Sequence, residues 1–284
     1  MGKERSNPGV NPCALTIAGS DSGAGAGIQA DLKTFSALGV YGTSVITMIT
    51  AQNTLAVEQV ETLPVQLLEA QLEAVFGDFE VGAAKTGALG NERIIRTIAA
   101  FLKKRQPRVP LVVDPVMISK HGHSLLDPEA VKSLKAELLP LATVVTPNLS
   151  EAAALGGMPP IMDRDAMLAA AELIAAFGCQ AVVVKGGHVA GAPADLLWEK
   201  GAVRWFEGER VNTPHLHGTG CTFSAAITAG LVKGLSLAEA VGEAKVYITG
   251  ALRHAQVFGH GINPVNHFWQ TSAYFGRRPS RGRR

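Results

Sequence analysis

Short apolar runs alternate with longer amphipathic stretches along most of this chain. The apolar runs at residues 13–18, 44–50, 83–86, 111–114, 143–146 and 181–185 are continuous, which is typical of strands buried on both faces. Between them, apolar positions recur at helical spacing over residues 27–38, 64–76, 91–104, 127–138, 149–155 and 163–177. This alternation predicts a mostly parallel central sheet covered by helices on both faces, a three-layer α/β/α fold.

Other segments complete the pattern. Residues 57–62 alternate between apolar and polar positions, which indicates a strand at the sheet edge. Residues 195–198 and 203–206 flank a short turn and predict a hairpin, and helices are expected at 220–233 and 237–254. Since neither a long linker nor a repeat divides the pattern, we expect a single domain over residues 13–270. It would carry a flexible leader at 1–12 and a basic tail at 271–284.

Composition narrows the class of protein. The chain has 284 residues, 47% hydrophobic and 18% charged, so it can bury a large core. A net charge of +2 gives no general attraction to nucleic acid or to a membrane, and we expect neither as a partner. The three cysteines are far apart and lack the spacing of a disulfide framework or metal site, which favours a reducing compartment. We therefore expect a cytoplasmic protein.

Polar side chains and glycines follow several predicted strands. In a parallel sheet the carboxyl ends of the strands share one edge, where ligands bind. The run Gly19 to Gly27 has neither dinucleotide-loop nor P-loop spacing, so we interpret it as a tight loop over a small substrate, or as a purely structural turn. Gln52 offers a donor and an acceptor to a heteroaromatic edge, although a strand-end turn residue is the simpler alternative.

A second group of side chains suits a nucleotide and its cation. Asn148 and Glu151 lie three residues apart at a predicted helix start, where they form either a capping box or, with Asp114, oxygen ligands for Mg²⁺. Lys185 precedes two glycines and indicates a phosphate contact. Asp31 can also be read as an ordinary acid in the first turn of a helix.

The segment His217 to Thr222 carries the strongest chemical signal. Glycines bracket Thr219 just before a predicted helix, and a helix start offers free N–H groups and a positive dipole end to an anion. Cys221 would lie in that field, which can lower a thiol pKa from about 8.5 to between ~3.5 and ~7.5. We therefore predict a thiolate base for phosphoryl transfer, the alternative being a small buried hydrophobic residue.

Taken in order, these motifs resemble a known family. They are Ala18-Gly19-Ser20-Asp21, Gly27-Ile28-Gln29-Ala30-Asp31, Ala51-Gln52-Asn53-Thr54, Asp114-Pro115-Val116-Met117, Thr146-Pro147-Asn148, Lys185-Gly186-Gly187-His188 and His217-Gly218-Thr219-Gly220-Cys221-Thr222. Together they resemble the hydroxymethylpyrimidine/phosphomethylpyrimidine kinases of thiamine biosynthesis, and the resemblance extends from residue 13 to residue 268. It implies a ribokinase-like fold, ATP and Mg²⁺ as cofactors, and two successive phosphorylations of 4-amino-5-hydroxymethyl-2-methylpyrimidine.

The resemblance also implies roles for single residues. Cys221 matches the catalytic base, and the preceding residues of the anion hole are Gly218, Thr219 and Gly220. On the substrate side, Gln52 reads the pyrimidine, and the pocket is completed by Gly19, Ala26, Asp31, Ala88 and Val116. The nucleotide side consists of Asp114, Asn148, Glu151 and Lys185, with Asp114 and Glu151 expected at the metal.

Two departures from the family pattern and two alternative functions qualify this reading. Ala88 stands where the family often has methionine, which would enlarge the pocket, and Lys120-His121-Gly122 replaces a Lys-Ser-Gly motif. A pyridoxal kinase of the same superfamily is the alternative enzyme. A non-catalytic pyrimidine-binding regulator, with the basic tail touching nucleic acid, is the alternative of another class. We also expect a homodimer.

Overall fold

The computed structural model describes residues 11–118, 122, 125–187 and 193–271. Within these ranges the strands form one nine-stranded sheet in the order β3-β2-β1-β4-β5-β6-β7-β8-β9. The six strands from β2 to β7 in this order run parallel, while β3, β8 and β9 are antiparallel to their neighbours. The strands are β1 Cys13–Asp21, β2 Gly42–Gln52, β3 Val57–Thr62, β4 Val81–Thr86, β5 Leu111–Val113, β6 Val144–Val145, β7 Ala181–Val184, β8 Ala194–Glu199 and β9 Ala202–Glu207.

Helices cover both faces of the sheet. They are α1 Gly27–Ala37, α2 Val65–Asp78, α3 Glu92–Lys104, α4 Pro128–Ser133, α5 Leu149–Gly156, α6 Arg164–Ala175, α7 Thr219–Val232 and α8 Leu237–Arg253. Side-chain caps begin several of them, since Asn91, Asp163 and Ser236 each accept a backbone N–H from the first turn. One layer contains α2 to α6, and the other contains α1, α7 and α8.

The strand side chains show directly that the sheet is buried on both faces. In β7, Val182 and Val184 pack against the layer of α2 to α6, whereas Val183 packs against α7 and α8. Successive side chains of a strand point to opposite faces, so both faces need apolar residues. This is why the sequence reads as continuous apolar runs, and the expected mostly parallel α/β/α fold is confirmed.

One predicted helix is interrupted. The stretch expected as a single helix over 127–138 is α-helical only as far as Ser133 and continues as a π-helical turn at Leu134–Leu138 and a 3-10 turn at Leu139–Leu141. Leu134, Leu138 and Leu139 are all buried in the core along this irregular stretch, so the change of helix type does not interrupt the apolar face.

A fully buried ion pair joins the sheet to α1. The ammonium of Lys85 on β4 lies 2.7 Å from the carboxylate of Asp31, and both side chains are 0% exposed. Thr16 on β1 donates a second hydrogen bond of 2.6 Å to the same carboxylate. Removing two charges from water is costly, and only the short pairing and the added hydrogen bond offset that cost.

We expect Lys85→Met to lower the free energy of unfolding by about 3–5 kcal/mol, because it leaves Asp31 buried without its cation. Adding Asp31→Asn removes the orphaned charge while keeping an acceptor for Thr16, so the double variant should be more stable than Lys85→Met alone. Urea unfolding measures both values.

Lys132→Met is the matched control. Lys132 pairs with Glu129 on the surface, where the two side chains are 77% and 73% exposed, and its loss should cost less than about 1 kcal/mol. Equal effects of Lys85→Met and Lys132→Met would contradict a stabilising role for the buried pair.

Candidate active site

A cavity of about 700 Å³ opens at the carboxyl ends of the parallel strands. The edge of the sheet and the first turn of α7 form its walls. The sequence-predicted residues that line it are Gly19, Ala26, Gln52, Ala88, Asp114, Val116, Asn148, Glu151, Lys185, Gly218, Thr219, Gly220 and Cys221. Residues as far apart in the chain as Gly19 and Cys221 therefore share one site. His188, Lys120 and His121 lie outside the described residues.

The loop between β1 and α1 is organised around the carboxylate of Asp21. Its oxygens accept backbone N–H groups from Gly23 at 2.8 Å, Gly25 at 3.0 Å and Ala26 at 2.8 Å. Burial would raise the pKa of Asp21, but His217 and these N–H donors outweigh it and hold the pKa below its usual value. The loop is therefore tightly turned around an ionised carboxylate.

Glycine permits the loops after β1 and before α7 to touch. Gly218 has a φ of 78°, and a Cβ built on it would overlap the carbonyl oxygen of Gly25. Gly27, with a φ of 57°, would likewise overlap the carbonyl oxygen of Gly19. Both positions need a left-handed backbone and direct backbone contact, which only glycine allows at low cost. The glycines thus bring the two halves of the cavity together.

His217 joins these loops through its side chain. Its Nε2 lies 2.8 Å from Asp21 Oδ2 and 3.2 Å from the side-chain nitrogen assigned to Gln52. Its backbone pairs with residues 263–265, because the His217 N–H donates to Asn263 and its carbonyl accepts from Val265. Sequence reasoning did not single out Asp21 or His217, although both lie inside the quoted motifs.

The N-terminus of α7 supplies N–H donors to the cavity. Thr219 donates its N–H to Leu216 and Thr222 donates to Gly218, and the described residues provide no acceptor for the N–H groups of Gly220 and Cys221. Lys185 lies beside this turn, since a Cβ on Gly220 would be 3.3 Å from its Nζ. A helix start with free donors and an adjacent cation is suited to binding an anion such as phosphate.

The thiol of Cys221 differs from the sequence-based expectation. Burial, together with the nearby carboxylates of Asp31 and Asp114, raises its pKa to about 12, although Lys85 and the N–H of Gly27 oppose the shift. The predicted lowering of its pKa is therefore wrong. The helix start supplies a positive field, but desolvation of the thiolate is the larger effect.

Asp114 is the centre of the acidic end of the cavity. Its Oδ1 accepts hydrogen bonds from Lys185 at 3.1 Å and from Thr146 at 3.3 Å, while Ser224 on α7 donates to Oδ2 at 3.2 Å. The carboxylate is almost completely buried, whereas Lys185 is 17% exposed. The ammonium group of Lys185 therefore lies at the cavity surface, and the carboxylate of Asp114 that neutralises it lies buried beneath.

Glu151 both caps α5 and lines the cavity. It accepts the N–H of Asn148 at 2.8 Å, and Asn148 accepts the N–H of Glu151 at 2.9 Å, which makes a full capping box. Burial, reinforced by Asp114 and opposed by Lys185, raises the pKa of Glu151 to about 7. The capping alternative is thus correct for both residues, and it coexists with their place in the cavity wall.

Asp31 is the one expected site residue that does not line the cavity. It lies beyond the first turn of α1 and is buried against Lys85, so neither substrate contact nor the first-turn alternative is correct. Its carboxylate still affects the site through its charge, since it contributes to the raised pKa of Cys221. Residue spacing alone could not show that the helix turns Asp31 toward the sheet.

The space beside Ala88 is partly filled by a methionine from another strand. A Cβ built on Gly19 would lie 2.8 Å from Cγ of Met48 and 3.7 Å from Cβ of Ala88, so these three residues adjoin. Met48 also lines the cavity. The enlargement expected from Ala88 is therefore reduced by the side chain of Met48.

The far end of the cavity contains groups that no sequence motif indicated. Lys245 of α8 donates to Asp195 at 2.7 Å, and Asp195 also accepts the N–H of Gly186 at 2.9 Å. Arg210 donates to the carbonyl of Gly187 at 3.1 Å. Asp195, Arg210 and Lys245 line the cavity together with Ile248 and Leu252. They come from a hairpin, a loop and a helix interior, where no motif or strand end marks them.

Comparison with known proteins identifies the family. A family model described as phosphomethylpyrimidine kinase matches residues 21–266. The chain belongs to the phosphomethylpyrimidine kinase family. The hydroxymethylpyrimidine/phosphomethylpyrimidine kinase of Rhizobium meliloti is 52% identical over 258 residues, which cover 90% of this chain and 96% of the relative.

Solved structures extend the likeness to two kinase types. The phosphomethylpyrimidine kinase of Clostridium difficile is 47% identical, with a TM-score of 0.76, and covers 85% of this chain and 100% of its own. The pyridoxal kinase of Bacillus subtilis, solved as an ADP complex, is 41% identical with a TM-score of 0.86, covering 92% and 99%. These likenesses bear out the ribokinase-like fold expected for the family.

We expect Gly218→Ala to destabilise this kinase more than Gly234→Ala. The two glycines have similar φ values of 78° and 82°, but a Cβ on Gly234 meets open space, whereas one on Gly218 overlaps Gly25. The control variant Gly234→Ala should lower the free energy of unfolding by about 1–2 kcal/mol, because of its backbone conformation. Gly218→Ala should lower it by a further ~1–3 kcal/mol, because the added Cβ overpacks the contact. If urea unfolding gave equal losses of stability for the two variants, the loops after β1 and before α7 would be able to move apart without cost.

Alkylation of Cys221 by iodoacetamide should be slow at neutral pH. Because its pKa is raised to about 12, the thiolate fraction should increase about tenfold for each pH unit between pH 7 and 9. Mass spectrometry of the modified peptide gives the rate, and Cys221→Ser checks the site assignment. A rate that is already constant at pH 7 would refute the raised pKa.

Proposed function

We propose that this kinase transfers phosphate from ATP to 4-amino-5-hydroxymethyl-2-methylpyrimidine, and then to the resulting monophosphate, in thiamine biosynthesis. This proposal rests mainly on the geometry of one cavity. The cavity is lined by Gln52, which lies at the end of β2, and by a second group that consists of the free N–H groups of α7 together with Lys185. The first group suits an aminopyrimidine edge and the second a transferring phosphoryl group. The names of the relatives described above support the same assignment.

The N–H groups of Gly220 and Cys221 stabilise the phosphoryl group in this proposal. They belong to the rigid first turn of α7, so they need little rearrangement when charge develops on the phosphoryl oxygens. Lys185 adds a cation that Asp114 holds in place. Positioning and charge stabilisation provide most of the catalysis in phosphoryl transfer, and both are present before any substrate binds.

In this proposal Cys221 receives the proton of the substrate hydroxyl. At neutral pH its thiol keeps its own proton, because its pKa is raised to about 12. We therefore assign the larger share of the rate to the N–H donors and Lys185. Cys221 contributes as a base through its small ionised fraction, so kcat should rise with pH above 7.

The donor chemistry of the site fits Mg²⁺. Asp114 and Glu151 place carboxylates at one end of the cavity, and Mg²⁺ in kinases uses one or two carboxylates together with phosphate oxygens and waters. The part of the chain that the structure describes has no cluster of three or more His, Cys, Asp or Glu side chains that could hold a metal alone. When bound, the ion would neutralise charge on the ATP phosphates.

Pyridoxal kinase activity is the second candidate. The structural likeness to the Bacillus subtilis pyridoxal kinase favours it, with a TM-score of 0.86. Pyridoxal also carries a hydroxymethyl group on a heteroaromatic ring, which would reach the same helix start. The pyrimidine remains the better assignment, since it presents an amine beside a ring nitrogen to Gln52.

We further propose that the protein acts in the cytoplasm as a homodimer. The free thiols of Cys13, Cys179 and Cys221 support a reducing compartment. Exposed apolar side chains of Leu55, Val257 and Phe258 offer surface for a second copy. Among the described residues, none of the helices is both long and apolar enough to cross a membrane.

Turnover of ATP with each heterocycle tests the assignment. The purified enzyme with Mg²⁺ should phosphorylate the aminopyrimidine and its monophosphate, with kcat/KM at least about tenfold above that for pyridoxal. Efficient phosphorylation of pyridoxal alone would reject the pyrimidine assignment.

In the same assay, the Cys221→Ala variant distinguishes the contribution of the thiol to kcat from that of the N–H donors. The variant keeps the backbone of α7, so ATP should still bind. We expect kcat to fall by less than the ~10²–10⁴-fold usual for a lost general base, because only a small fraction of the Cys221 thiol is ionised at neutral pH. An unchanged kcat would assign catalysis entirely to the N–H donors and Lys185.

A further inference from the structure

The ring of His217 is held firmly at the wall of the cavity. The residue is 5% exposed, and a Cβ on Gly25 would overlap its Cδ2 atom, so the ring fills the space above that glycine. Its Nε2 is shared between Asp21 Oδ2 at 2.8 Å and the terminal amide of Gln52 at 3.2 Å. A single ring nitrogen therefore faces two side chains.

Asp21 decides the role of that nitrogen. The carboxylate already accepts three backbone N–H groups, and an ionised carboxylate offers only acceptor sites. Since the nitrogen lies 2.8 Å from this acceptor, Nε2 must carry a hydrogen and donate it. This holds whether the imidazole is neutral or protonated.

The orientation of the Gln52 amide has to be compatible with this donor. If the NH₂ group of Gln52 lay 3.2 Å from His217 Nε2–H, two hydrogen-bond donors would face each other without an acceptor between them. On the opposite side of the amide, Thr50 Oγ1 lies 3.4 Å away and donates its single hydrogen to the carbonyl of Ser20 at 3.0 Å. That oxygen is thus an acceptor toward Gln52, and it matches an NH₂ group better than a carbonyl.

Both neighbours therefore favour one direction of the amide, with its oxygen toward His217 and its nitrogen toward Thr50. The two ends of a glutamine amide have nearly the same shape, so this direction is determined by the hydrogen-bond network. Each end then keeps further capacity for a ligand in the cavity. The oxygen can accept on the His217 side, and the nitrogen can donate on the Thr50 side.

We propose that His217, held by Asp21, is a positioning residue that fixes the direction of the Gln52 amide and thereby the hydrogen-bond pattern that the site accepts. This inference rests on the proposed function. The site takes a ring that presents a donor toward His217 and an adjacent acceptor toward Thr50. A 4-aminopyrimidine has this pattern, because its amine donates and its neighbouring ring nitrogen accepts.

The 4-oxo analogue, 5-hydroxymethyl-2-methylpyrimidin-4(3H)-one, has the reverse pattern. Its exocyclic oxygen accepts and its N3–H donates, while size and hydroxymethyl group are conserved. A fixed amide must reject it, whereas an amide free to turn can bind either compound. The ratio of kcat/KM for the amino and oxo compounds therefore reports the direction of Gln52.

The experiment compares this ratio in the wild type, His217→Ala and His217→Gln. The wild type should prefer the amino compound by about 100-fold or more, since a site built on hydrogen bonds leaves polar groups unpaired with the wrong ring. In His217→Ala the ratio should fall at least about tenfold, mainly through KM. His217→Gln can still donate to Asp21 and to the Gln52 oxygen, so it should restore most of the preference.

His215→Ala is the matched control, since it removes the same type of side chain from the same loop outside the cavity lining. It should keep the wild-type ratio. Equal loss of activity toward both compounds in His217→Ala, with an unchanged ratio, would overturn the proposal. Such a result would assign His217 to holding the two loops together.

Calorimetric binding of both pyrimidines separates this inference from the proposed function. If the wild type binds the amino compound selectively but does not phosphorylate it, and His217→Ala loses the selectivity, the proposed function fails and the role of His217 stands. Phosphorylation of the amino compound with an unchanged binding ratio in His217→Ala refutes only the role of His217. Binding of neither compound overturns both.

Discussion

The carboxylate of Asp21 is the interaction on which the site depends. It gathers the backbone N–H groups of Gly23, Gly25 and Ala26 and also holds the ring of His217. The first contacts shape the loop after β1, and the second attaches that loop to the segment before α7. Because glycines at both ends of the contact permit the backbones to touch, one charged group determines how the two walls of the cavity meet.

Three buried or mostly buried lysine–aspartate pairs lie along the same edge of the sheet. Lys85 pairs with Asp31, Lys185 with Asp114 and Lys245 with Asp195. Each aspartate offsets the desolvation cost of its lysine, and nearby carboxylates raise the pKa of Lys85 and Lys185 despite burial. The site thus has fixed charges of both signs, and the same desolvation that costs stability also keeps the thiol of Cys221 protonated.

The sequence predicted the fold and most of the cavity wall well, because both depend on local patterns. Continuous apolar runs indicated strands such as β7, and parallel strand ends bring Gln52, Asp114 and Lys185 to one edge. The prediction for Asp31 failed, because the motif that contains this residue does not show which way the side chain turns within α1. The prediction for the pKa of Cys221 also failed, since the helix dipole can be read from a motif whereas burial and neighbouring carboxylates cannot. Lys245 was missed because it lies in the interior of a helix without any motif.

The pairing of His217 with residues 263–265 has a consequence for how the protein is made. The loop that holds Asp21 is synthesised first, yet His217 is fixed partly by backbone contacts to Asn263 and Val265. A chain emerging from the ribosome can assemble the parallel strands early, but the cavity wall is complete only when the segment after α8 has arrived. Substrate binding thereby reports on the integrity of nearly the whole polypeptide, since a product of premature termination within α8 would lack the contacts that seat His217.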